Sequence, residues 1–388
     1  MLPRRAGAGA ALAVAAIAAV ACDGSPPVGR SSQECTVVIG TLGDLSGPTA
    51  SRGIPIFRGV ELAVNEADAE GRLECDLELQ IEDTNGDPDL ARARARGLAR
   101  GRRVVACMCG YTSDEAVAAG APLSAAGVLT SGPASSPAVA ELGFDSWFSA
   151  APNRDVETAG TVAYIRDVLS PQGVGVVDDG TTAGVDQADA IAEDLGGLVA
   201  ARAQAVDPSG DAPGEILGLS PEVVYVGGTG SGPAGIASGL RREGLEAVFV
   251  VNSEALVSPA PGQIPDAGFL VVCPCVDASV LPEGEAFTAA FRAAYDAPPG
   301  PYSAEMYDVT RLVIDALEGA DADTDIGSLR AMVVAAFEEA EGAAGISGPL
   351  TWSNTGVMEA DPPRDVWVYE WRGSTGAFAP LAPVGQLR

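Results

Sequence analysis

The residues of this chain that could do chemistry are two glycine-rich loops, a scatter of carboxylates and seven cysteines. The first loop, Thr41-Leu-Gly-Asp-Leu-Ser-Gly-Pro-Thr-Ala-Ser-Arg-Gly53, follows the apolar run Cys35–Gly40 and precedes the amphipathic stretch Phe57–Ala69. Junctions of strand, loop and helix are where α/β proteins cradle phosphate. This one lacks the GxxxxGK[ST] pattern, and no lysine exists to reach a phosphate, because all 23 basic residues are Arg. The second loop, Gly230-Ser-Gly-Pro-Ala-Gly235, has the spacing of a dinucleotide fingerprint, with Glu254 about 20 residues further on, where a ribose-binding acid would stand. A nicotinamide enzyme is the rival reading this motif raises. A single match is cheap in a chain with 48 Gly, and the motif falls late in its series of strands.

The chain has no His. That removes Ser-His-Asp and Cys-His nucleophile systems and every His-ligated zinc site. Without Lys, Schiff-base chemistry is removed as well. Nothing singles out a carboxylate pair for acid–base work, so the sequence predicts no enzyme, no cofactor and no metal. With 23 basic against 53 acidic residues the net charge is -30, which repels nucleic acid and anionic lipid. The arginines of the stretch Asp89–Arg100 (Arg92, Arg94, Arg96, Arg100) therefore read as a solvated helix face.

The first 21 residues read as a leader. Met1-Leu-Pro-Arg-Arg5 is a basic head, and the uncharged run Ala10–Ala21, at about 12 residues, is too short to span a bilayer and fits a secretory h-region. It ends in Ala19-Val-Ala-Cys22, which suits ordinary Ala-x-Ala cleavage or a lipobox whose Cys22 becomes a lipidated N-terminus. Ala19 departs from the Leu usual in a lipobox. The Gly/Ser/Pro-rich stretch after Cys22 reads as a tether and favours the lipoprotein. The segments are 1–21 signal peptide and 22–34 tether, with the protein exported and anchored at the outer face of the cytoplasmic membrane.

The elements that must position these residues alternate in type. Strands are predicted at Val37–Leu42, Leu77–Ile81, Val104–Cys109, Gly127–Ser131 and Trp147–Ala150, with helices between them, one opening on Asp87 as N-cap and Pro88 at the first helical position. A second series follows from the helix Val156–Leu169 to the strand Ala247–Val251. Alternation of this kind predicts α/β architecture with two doubly wound parallel-sheet lobes.

The stretch Thr36–Asp68, with its strand, Leu-Ser-Gly-Pro loop and Gly-x-Glu-Leu-Ala helix, resembles the opening of the type I periplasmic solute-binding proteins of the leucine/isoleucine/valine-binding family. The likeness continues through Leu77–Ala95, Cys109–Pro137, Val223–Leu245, Val248–Leu256 and Gly345–Trp352. It implies a three-crossing hinge, lobe 1 as 35–152 plus 276–346 and lobe 2 as 153–275 plus 347–388, a monomer that binds a small polar metabolite, foremost an amino acid, and delivers it to an ABC permease. In its amino-acid binders the ligand carboxylate meets a hydroxyl after the third strand, matched by Ser113 or Thr112, and one after the fourth, matched by Ser135, with the carbonyl of Pro133 close by. The ammonium meets an acid matched by Glu254. Where the family pocket presents Tyr, this chain has Ala183 and Thr229, so branched-chain specificity does not follow, and amides or short carboxylates stay open. A ligand sensor of the same fold is the second alternative; the sequence offers no membrane span or output domain to favour it.

Six cysteines remain after Cys22. Cys35 and Cys75, at the starts of neighbouring strands, are expected to bridge. Cys107 and Cys109 are expected to form two cross-links with Cys273 and Cys275, stapling lobe 1 to the hinge. The leader yields a prediction: Cys22→Ser abolishes lipidation, and the protein moves from the membrane to the soluble fraction on cell fractionation. Membrane retention equal to wild type would refute the anchor.

Overall fold

The computed structural model describes residues 35–205, 213–257, 264 and 268–388. The leader, the tether and Cys22 lie outside the described residues. The first sheet holds β1 (Thr36–Gly43), β2 (Asp76–Asp83), β3 (Val104–Cys109), β4 (Leu129–Gly132) and β5 (Trp147–Ser149), all parallel, in the order β2-β1-β3-β4-β5. The second holds β6 (Val174–Asp178), β7 (Val199–Gln204), β8 (Val223–Gly227), β9 (Val248–Val251) and β10 (Phe269–Cys273). A small ribbon, β11 (Glu341–Ala344) with β12 (Pro349–Thr351), comes before β13 (Trp367–Arg372) and β14 (Ala377–Pro383), and these last two extend the second sheet antiparallel to β10. The five parallel strands β7-β6-β8-β9-β10 repeat the order of the first sheet.

Burial explains the strand composition. β3, Val-Val-Ala-Cys-Met-Cys, is buried at every position because helices cover both faces. β2 lies at an edge and alternates exposed acids with Leu77 and Leu79, which keeps the open edge charged. Asp87 caps the helix Pro88–Arg100 as expected, accepting from Asp89 N and Leu90 N. That helix buries Ala91, Ala95 and Leu98, and Arg94, Arg96 and Arg100 are exposed.

One helix starts earlier than its sequence predicts. The amphipathic pattern begins at Phe57, but the helix runs Ala50–Glu70, with Pro55 inside it. Arg52 and Gly53 therefore stand on its first turn and not in the preceding loop. Gly59 lies where this helix crosses the helix Ser303–Leu317, with Ser303 directly against it.

The chain crosses between sheets three times. After β5 it enters the second sheet; after β10 it returns to lay helices Glu285–Tyr295, Ser303–Leu317 and Ile326–Glu338 against the first. One helix pegs the second crossing and the strip that leads to the third: Glu305 accepts from Val276 N (2.8 Å), and Asp308 accepts from Ile346 N (3.0 Å), Ser347 N (2.8 Å) and Ser347 Oγ (2.6 Å). The last crossing comes later in the chain than residue 346. Trp352 Nε1 donates to the Ser149 carbonyl (2.7 Å) and Met358 N to Ser149 Oγ (2.8 Å), so this strip stays on the edge of β5.

The cysteines correct the sequence expectation. Cys35 is bonded to Cys75, tying the starts of β1 and β2. The two cross-links between segments do not form: Cys107 is bonded to Cys109 and Cys273 to Cys275. Strand alternation is the reason. Ala106 and Met108 face the core that reaches the second sheet, so Cys107 and Cys109 face the opposite side, in one cluster with Ala91, Ala95 and Leu98.

The close crossing at Gly59 yields a prediction. A methyl group there would overlap the Ser303 carbonyl, and backbone cannot rotate away as a side chain can. Gly59→Ala should lower unfolding stability by about 1 to 3 kcal/mol in urea titration, outweighing its gain in helix propensity.

Candidate functional site

In open parallel sheets, ligands bind beyond the carboxyl ends of the strands where the strand order reverses. The reversal falls between β1 and β3 in the first sheet and between β6 and β8 in the second. In the loop after β1, the carboxylate of Asp44 accepts from Gly47 N, Thr49 N and Thr49 Oγ1, and Asp83 accepts from Leu45 N and Ser46 Oγ. The N–H groups a phosphate would require are thus taken by the protein's own acids. The loop is a rim, and the residue it delivers to the site is Arg52.

Arg52 is 4% exposed. Its Nε donates to the Tyr111 carbonyl (3.0 Å), its Nη1 to Glu254 Oε1 (2.6 Å), and its guanidinium lies 5.1 Å from the centre of the Tyr302 ring. Arg52 belongs to the first sheet's helix and Glu254 opens the short helix after β9, so the ion pair joins the carboxyl ends of both sheets. Burial, the largest single effect, would lower the Arg52 pKa, but the charge and hydrogen bond of Glu254 together with the nearby Tyr302 and Glu157 outweigh it, and the net shift is upward. Tyr302 is fully buried with φ 64°, a left-handed conformation uncommon for a bulky residue. Strain of this kind marks a position held by its surroundings.

On the first sheet's side, Thr112 is a cap: it accepts from Glu115 N, and Glu115 accepts from Thr112 N. Ser113 Oγ accepts from Ser136 N (3.1 Å), which binds the helix start to the loop after β4, where Pro133 is buried. The Ser113 hydroxyl keeps its proton to donate. The Ser135 carbonyl accepts from Arg154 N (2.8 Å), and among the described residues its Oγ has no protein partner. The structure therefore brings Thr112, Ser113, Pro133 and Ser135 together.

On the second sheet's side, Asp179 is the organising group. It accepts from Thr181 N, Thr181 Oγ1 and Thr229 N, pinning the loop before Ala183 to the loop bearing Thr229. A Cβ on Gly184, Gly228 or Gly232 would press on its carboxylate. A pyrophosphate at Gly230–Gly235 would meet that charge, and β8 is not the strand that opens the second series, so the dinucleotide reading gains nothing from the geometry. Below Glu254, the buried Glu157 accepts from Ser253 N (2.8 Å) and Ser253 Oγ (3.2 Å). Among the described residues no cluster of His, Cys, Asp and Glu could hold a metal, and no helix is long and apolar enough to cross a membrane. An apolar cavity of about 250 Å³ is lined by Leu256, Val276, Pro301, Tyr369 and Phe378, and none of Arg52, Ser113, Ser135 and Glu254 lines it.

Sequence reasoning missed Arg52, Tyr302, Glu157 and Asp179. The available signal for Arg52 was its place as the only cation between Thr41 and Gly53, beside a glycine, in a chain short of cations.

Comparison with known proteins bears on the family and the fold. Residues 36–377 match the family model described as periplasmic binding protein. No curated protein matches. Among solved structures, the branched-chain amino acid transporter substrate-binding protein LivJ of Streptococcus pneumoniae, in complex with isoleucine, shares 20% identity at TM-score 0.74, covering 90% of this chain and 100% of that one. The leucine-binding protein LivK of Thermotoga maritima shares 19% at TM-score 0.71, covering 89% and 98%. A solute-binding protein of R. palustris in complex with benzoate shares 19% at TM-score 0.69, covering 90% and 96%. At these identities the likeness is one of fold.

Two buried acids make stability depend on pH. Burial raises Glu157 to about 7, against the lowering pull of the Ser253 N–H, and raises Glu305 to about 8, against that of the Val276 N–H. Glu305 Oε2 has no partner, which suits a protonated carboxyl. Both folded values exceed the ordinary 4.5, so between pH 5 and 8 the folded state holds protons that the unfolded chain has released. Stability is therefore greatest near pH 5, falls as pH rises through both values, and levels above about 8. Urea unfolding from pH 5 to 9 checks this, and Glu157→Gln combined with Glu305→Gln should flatten the slope.

Proposed function

The chain belongs to the periplasmic binding protein family, and on that premise we propose that it is the extracytoplasmic solute-binding component of an ABC importer, taking a small amino acid between its two sheets. Lobe 1 is 35–152 and 276–346 with the strip to Met358, and lobe 2 is the remainder from residue 153. They close about the three crossings, with Glu305 fixing the second and Asp308 holding the strip that leads to the third. The protein acts as a lipid-anchored monomer that hands its ligand to a membrane permease and carries out no catalysis. Named relatives of this fold bind isoleucine, leucine or benzoate, so the fold is at home with small molecules bearing a carboxylate.

The observation that carries this reading is the convergence of opposite charge preferences from the two sheets. The first offers hydroxyl and N–H donors at Ser113, Ser135 and the start of the helix Ser113–Ser124, which suit a carboxylate without a formal cation. The second offers Glu254, an acceptor-only group that suits an ammonium.

A thermal-shift screen of the mature protein against the common amino acids tests the reading. A ligand at 100 times its Kd stabilises by about 2.7 kcal/mol. In calorimetry with the strongest hit, Glu254→Ala should weaken binding by about 2 to 5 kcal/mol. Ser135→Ala should cost about 1.5 to 3 kcal/mol and leave folding untouched, because Ser135 Oγ has no protein partner. No response to any amino acid would exclude the function, and full affinity in both variants would exclude the site.

A further inference from the structure

Arg52 sets a condition on the ligand that a neutral amino acid does not meet. A guanidinium carries five N–H donors in a rigid fork. Protein acceptors take two of them, the Tyr111 carbonyl on Nε and Glu254 on Nη1, and among the described residues none lies on Nη2. When Glu254 turns to an incoming ammonium, two cations share that carboxylate, and the buried Glu157 behind it is already engaged by Ser253 N and Ser253 Oγ. The donors at Ser113 and Ser135 are meanwhile committed to the ligand's α-carboxylate. An aliphatic ligand side chain would then cover a buried, half-satisfied cation, which is among the most unfavourable contacts a site can contain. A second carboxylate removes the conflict, since a planar fork accepts one with two parallel hydrogen bonds. The surroundings agree. The Tyr302 ring beneath the guanidinium holds its plane, and where an apolar ligand would want aromatic walls the rim presents Ala183 and the exposed Thr229.

We propose that the ligand is an acidic amino acid, with its side-chain carboxylate received by Arg52, its ammonium by Glu254 and its α-carboxylate by the donors at Ser113 and Ser135. This rests on the amino-acid reading of the site and narrows it to one charge class.

Isothermal titration of the full mature protein with L-glutamate, L-aspartate, glutarate and L-leucine decides the matter. One of the acidic amino acids should bind roughly 100-fold more tightly than leucine, and glutarate, lacking the ammonium, should bind roughly 30-fold less tightly than L-glutamate. Arg52→Gln should lose the preference for the acidic ligand by roughly 100-fold, and Arg52→Lys should keep a part of it. Leucine binding as tightly as glutamate and aspartate in the wild type, which no folding defect can mimic, overturns the inference and leaves the amino-acid reading standing. Glutarate equal to glutamate overturns the role given to Glu254, and unchanged glutamate affinity in a folded Arg52→Gln overturns the role given to Arg52. If none of the common amino acids binds, the broader reading falls, and the inference with it.

Discussion

A cation buried between two sheets must have its charge answered by both. Arg52 is that cation, and much of the site's construction serves it. The helix carrying it begins at Ala50, close enough to the rim that Gly53 touches the Asp44 carbonyl. Tyr111 turns its carbonyl to Nε, Tyr302 takes a left-handed backbone to lie beneath the guanidinium, and Glu254 closes the circuit from the other sheet. Breaking such a pair by removing one partner costs far more than the pair contributes, because the survivor is left buried and uncompensated. The arrangement is therefore better understood as selecting what may enter the cleft than as holding the lobes together.

The two sheets share a second device. In each, an aspartate just past the first strand of the series turns its carboxylate back on the neighbouring loops: Asp44 after β1, Asp179 after β6. Glycine-rich loops of this kind present N–H groups that elsewhere receive phosphate. Here they are satisfied internally, and the loops become stiff rims. This is consistent with a chain that has no lysine and carries 53 acids, and it leaves ligand recognition to a few side chains at the meeting point.

The apolar runs made the parallel strands legible. Val104–Cys109 is observed as predicted, and Val37–Leu42 falls within the observed Thr36–Gly43, because strands buried on both faces leave an unambiguous pattern. β7, Val-Ala-Ala-Arg-Ala-Gln, was not legible, since an edge strand half open to water has no such run. The grouping of Thr112, Ser113, Pro133 and Ser135 came from a resemblance and is a real neighbourhood, though Thr112 serves as a cap. Arg52 was lost because the helix begins at Ala50 but the amphipathic pattern only at Phe57, which left this arginine in the loop. Its pairing with Glu254 spans 202 residues and has no local signature. The cysteine cross-links failed on parity: spacing in sequence brings Cys107 and Cys109 onto one face of β3, and only the fold says which face that is.

The bond between Cys35 and Cys75 sits at the point where the described chain begins. Any pull arriving through residues 1–34 meets that bond before it meets β1. The load passes at once into two neighbouring strands, and the hydrogen bonds from Thr36 to Gly43 are loaded together in shear instead of being unzipped one by one. A pull on the amino end is thus shared by two strands at the edge of the first sheet opposite the carboxyl ends where the site lies.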